Sequence, residues 1–68
     1  MEDATQLALR AIVGGLYHSR VIGEDQVLAI MHELHRAAED RGQAGHPVDQ
    51  QQLMALSSAI GKDARVGD

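Results

Sequence analysis

The chain has no cysteine, no phenylalanine, no tryptophan and one proline, Pro47, among its 68 residues. Without cysteine there is no disulfide framework and no thiolate, so histidine is the only soft metal ligand left. With Tyr17 as the sole aromatic, any core has to be built from Leu, Ile, Val and Met. Basic residues are few and scattered, at Arg10, Arg20, Arg36, Arg41, Lys62 and Arg65, and the formal net charge is −4. Affinity for nucleic acid comes largely from Lys and Arg on phosphates, so this balance disfavours such a partner. No apolar run approaches the ~20 residues that span a bilayer. The start, Met1-Glu2-Asp3, is acidic where a secretory signal is basic, and a cytoplasmic protein is the expectation.

What is present is helical patterning. On a wheel of about 100° per residue, Val27, Leu28, Ile30, Met31, Leu34, Ala37 and Ala38 fall on one half, and Glu33, Arg36, Glu39 and Asp40 on the other. Gly23 serves as N-cap, Glu24 and Asp25 suit the positive end of the helix dipole, and Ile22 is placed to staple onto Val27. Gly42 suits the left-handed position after the last turn. The spacing predicts a helix over 24–41 whose apolar face is too broad for one neighbour.

The same start chemistry occurs twice more. Asp3 with Gln6 precedes the apolar run from Leu7, and Asp49 with Gln52 precedes Leu53, each a capping-box spacing. Helices are therefore expected at about 4–19, 24–41 and 50–60. The first has Leu9, Ile12, Val13, Leu16 and Tyr17 as its main stripe, and the third has Leu53, Leu56, Ala59 and Ile60, with Met54 to one side. Gly14-Gly15 inside the first helix costs about 2 kcal/mol relative to alanines. It marks either a kink, a break after Val13, or a flat spot for a close helix contact. Arg20-Val21-Ile22 is short enough for an αα-hairpin or a helix-turn-helix corner, with Val21 and Ile22 buried at the elbow. Gly42 to Pro47 is a loop by composition. Residues 62–68 are expected to be a disordered polar tail.

The fold expected is all-α: one three-helix domain over 1–61, with helices 1 and 2 as a tight hairpin and helix 3 packed across. A chain this short buries barely enough apolar surface to offset its ordering entropy, and oligomerisation is the natural remaining source of stability.

Sharper chemistry finds little footing. His32 and His35 are three apart, whereas the zinc-protease pattern needs histidines four apart with the glutamate between them. No cofactor and no metal is expected. Ser57-Ser58 lies in a helix, where back-bonding is commoner than reactivity. With no thiol nucleophile and no glycine-rich phosphate loop, the chain does not read as an enzyme. What survives is apolar surface in excess of one small core. It points to a small acidic interaction module, a homodimer that binds a larger protein as a regulator, inhibitor or chaperone-like adaptor. Tyr17, Leu28, Met31, His35 and Met54, at the edges of the stripes, are the expected partner contacts. The alternative is a dimeric helix-turn-helix DNA-binding regulator, which needs Arg10, Arg20 and Arg36 to converge across the two-fold axis.

Overall fold

A computed structural model describes residues 3–64. Among them there are three helices and no strand: α1 (Ala4–His18), α2 (Glu24–Gln43) and α3 (Pro47–Asp63). The all-α, three-helix expectation holds. The closest pair is α2 with α3, and α1 lies against α3 more than against α2. The principal pairing thus joins helices 2 and 3, and the described residues measure 37 × 23 × 19 Å.

The α2–α3 seam is close because its residues are small. Ala38 and Ser57 are fully buried, and Gly61 is buried beside them. A Cβ on Gly61 would stand 2.7 Å from Met31 Cε, and one on Gly42 would meet the Gln50 side chain at 2.7 Å. The glycines therefore let the facing side chains lie directly on backbone. Ser57 Oγ donates to the Met31 carbonyl at 3.3 Å, so this serine bonds across the interface rather than back along its own helix. Around the seam sits the core, Val27, Leu56, Ile60 and Ala64, flanked by half-buried Val13, Tyr17, Ile22, Ile30, Met31 and Leu34.

The helix ends follow the expected chemistry only in part. Asp3 Oδ1 accepts from the Gln6 N–H at 2.9 Å, as an N-cap should. The Gln6 amide, however, does not return to Asp3. It reaches α3 and donates to the Gln52 carbonyl at 3.1 Å. At α2 the box is half made, with the Gly23 N–H donating to Gln26 Oε1 at 2.8 Å and no side chain on Gly23 to reciprocate. Helix α2 continues past Arg41 to Gln43, and Gly45, at φ 86°, takes the left-handed position instead of Gly42. The His46 N–H then bonds the Arg41 carbonyl and the Gly45 N–H that of Gly42, a Schellman closure. Helix α3 starts at Pro47, three residues before the expected 50, because proline at the first position has φ preset and no N–H to satisfy. Asp49 lies in that first turn instead of capping it.

Two further expectations change. Val21 is 69% exposed, not buried at the elbow, while Ile22 packs on the core. The turn is another Schellman closure, with Val21 N–H on the Leu16 carbonyl, Arg20 N–H on that of Tyr17, and Arg20 itself at φ 65°. At the far end, Lys62 and Asp63 complete α3 and Ala64 is buried, so the expected tail does not begin at 62. Residues 65–68 of that expectation lie outside the described residues.

Candidate interaction surface

Helix α1 is where surface and burial are out of balance. It runs unbroken from Ala4 to His18, so Gly14-Gly15 does not end it at Val13. Not one of its residues is buried. The face it turns inward carries Gln6, Arg10, Val13 and Tyr17, all half-buried. Of the expected stripe, Val13 and Tyr17 do pack on the core, but the face is rotated so that Leu9, Ile12 and Leu16 are not inside. Polar ties explain the rotation. Arg10 Nε and Nη2 donate to Asp63 Oδ2 and Oδ1 at 2.9 and 2.8 Å, and Gln6 reaches the Gln52 carbonyl. These draw the Gln6–Arg10 edge onto α3 and turn the leucines outward.

The outward face is consequently apolar. Ile12 is 59% exposed and Leu7 53%, and Leu16 is exposed too, while Leu9, also exposed, borders the side towards α2 and α3. Between them lie Ala4, Ala8, Ala11 and Gly15, also exposed. Arg10 is the one Asp, Glu, Lys or Arg of α1, and it is engaged with Asp63, so the outer face carries no carboxylate, ammonium or guanidinium, and exposed His18 at its end is its one ionisable side chain. A Cβ at Gly14 or Gly15 would meet nothing within 4 Å, so no close contact inside the chain accounts for either glycine.

The five residues expected at partner contacts do not form one patch. Leu28, Met31 and His35 come together with His32 in a shallow groove along α2. Leu28 is 45% exposed and His35 is exposed, while Met31 is half-buried over Gly61. Tyr17 lies elsewhere, half-buried against the core with its ring edge-on to His18 at 5.3 Å. Met54 is exposed on α3 and does not line the groove. That α1 is apolar round most of its circumference, with Leu7, Ala8 and Ala11 beside the main stripe, is legible in its spacing and points to self-association through helices 1 and 2, but the wheel alone does not select the buried side.

Between α1 and the facing ends of α2 and α3 opens a cleft of about 470 Å³, lined by Leu9, Ala37, Leu53 and Leu56 and by Asp3, Asp40 and Asp49. Thr5 and Arg41 line it as well. Arg41 donates to Asp49 Oδ2 from Nε and Nη2, and these hydrogen bonds hold the Asp49 carboxyl below its ordinary range, helped by the charges of Arg41 and His46. Asp63 is lowered in the same way by the hydrogen bonds and charge of Arg10, with a smaller contribution from His18. In both, partial burial opposes the shift. Among the described residues no group of three or more His, Asp or Glu is placed to hold a metal ion, and no helix is long and apolar enough to cross a membrane. No family model, no curated protein and no solved structure matches this chain.

Proposed function

We propose that this chain is a small protein–protein interaction module, one that self-associates as a homodimer and acts by occupying a surface on a larger protein, as a regulator, an inhibitor or a chaperone-like adaptor. The observation that carries the reading is α1, a helix of 15 residues with no buried side chain and an apolar outer face free of Asp, Glu, Lys and Arg. Isolated helices of this length are marginal in water, and two interior glycines weaken this one further. An apolar helix held by a few polar ties is better supported by a partner than by solvent. The α2 groove with Leu28, Met31 and His35 is a second surface, suited to the larger protein because methionine adapts to varied shapes.

The DNA-binding alternative loses support. Arg10, one of the three guanidinium groups it needs, is held by Asp63 through two hydrogen bonds. Sedimentation velocity over a hundredfold range of concentration tests the proposed reading. A mass that rises from one chain to two is the expected result, and a single chain at every concentration counts against it.

A further inference from the structure

Self-association leaves open which surface is shared. Resting on the reading above, we propose that the outer face of α1 takes a second copy of this chain, docked antiparallel through Ala4, Ala8, Ala11 and Gly15 with Ile12 and Leu16 alongside.

Charge argues for a second copy. Each chain carries a formal −4, so two copies repel, and least where they meet through a face without acidic side chains. The outer face of α1 is such a face. Ala4, Ala8, Ala11 and Gly15 recur at intervals of four, three and four, which keeps them in one line along the helix. Small residues in line allow two helix backbones to approach closely, and a second backbone there accounts for a glycine at 15 that nothing within its own chain requires.

Charge also fixes the direction. The two ends of α1 are opposite in sign, with exposed Asp3 before the helix and exposed Arg20 after it. Antiparallel about a two-fold axis between Ala11 and Ile12, Ala8 faces the partner's Gly15, Ala4 faces the partner's Ser19, and Asp3 comes beside the partner's Arg20. Both ends of the seam then join opposite charges, and the helix dipoles oppose. A parallel pair would set Asp3 against Asp3 and Arg20 against Arg20.

The size of the face sets the strength. Over the 15 residues from Ala4 to His18 it is about 22 Å long at ~1.5 Å per residue. A seam of one short helix on its copy is smaller than the ~800 Å² per partner of a standard interface, which places it among weak, reversible contacts.

Light scattering after size exclusion, with circular dichroism on the same full-length samples, separates the outcomes. Ala11→Glu and Ala8→Arg lie on the exposed face and should keep the helical spectrum while shifting the mass to one chain at concentrations where the parent chain is a dimer. Ala8→Arg takes the formal charge from −4 to −3, so loss of its dimer cannot come from added repulsion between acidic chains. Gly15→Ala should raise helicity in the dilute chain and weaken the dimer severalfold. Because the chain has no cysteine, direction is read by cross-linking. Ala11→Cys should form a disulfide with itself, whereas Ala4→Cys should pair with Ser19→Cys and not with itself. Dimers unaffected by Ala11→Glu and Ala8→Arg would overturn the α1 seam and leave self-association standing. A parent chain that stays single at millimolar concentration would overturn both. Disulfides between two Ala4→Cys chains would overturn the antiparallel direction.

Discussion

Asp63 and Arg10 show how one pair can orient a helix. Two hydrogen bonds join their side chains at 2.8 and 2.9 Å, and the pair keeps the Asp63 carboxyl lowered. A carboxyl lowered in the folded state contributes stability that is complete above its unfolded value, ~3.9, and is lost as pH falls through the folded value. Thermal stability should therefore decline on acidification below about pH 4. Asp63→Asn should flatten that decline and cost less than about 1 kcal/mol at neutral pH, since the pair is partly solvated. Thermal melts of both chains between pH 2 and pH 7 measure it. Gly14 offers a prediction of opposite sign. With open space where its Cβ would stand, Gly14→Ala should stabilise the chain by about 0.5–1 kcal/mol in urea unfolding.

At the scale of the element, what could be read from sequence and what could not divide along a physical line. The three helices, the inner face of α2 and the caps at Asp3 and Gly23 were legible, because apolar spacing and capping chemistry are local. The start of α3 at Pro47 was legible in principle, since proline at a first helical position is a start signal, but Asp49 with Gln52 offers a competing one. The seam was not legible. Whether Gly42, Ser57 and Gly61 lie at a loop, a surface or a helix contact depends on which helix faces which, and that is settled by long-range packing. The inward face of α1 was hidden for the same reason, being chosen by Gln6 and Arg10 rather than by its leucines. Of the residues expected at contacts, Leu28, Met31 and His35 share one groove because helical spacing along α2 unites them, while Tyr17 and Met54 belong to other elements. The seam makes its own prediction. Ser57→Leu forces a large side chain between α2 and α3 and should destabilise by about 1–3 kcal/mol, with a lower urea midpoint.

For the whole molecule the balance is between acidic repulsion and apolar contact. Two chains of −4 each repel over a Debye length of about 30 Å at 0.01 M salt and about 10 Å at 0.1 M. Apolar contact at a face free of Asp, Glu, Lys and Arg is insensitive to that screening. Association should thus tighten as salt rises from 0.01 to 0.15 M, as read by the midpoint of the dilution curve. A contact dominated by opposite charges would weaken over the same range. The described residues have a radius of gyration of 12.0 Å, somewhat above the ~11 Å expected of a compact chain this size, in keeping with a helix that stands partly off its own core.

The central claim is that α1 is completed by a second copy, and amide hydrogen exchange at two protein concentrations, one on each side of the dissociation midpoint, tests it most directly. Slower exchange across residues 7–18 at the higher concentration, with little change in the middle of α3, is the predicted result. Equal exchange of α1 at both concentrations would contradict it.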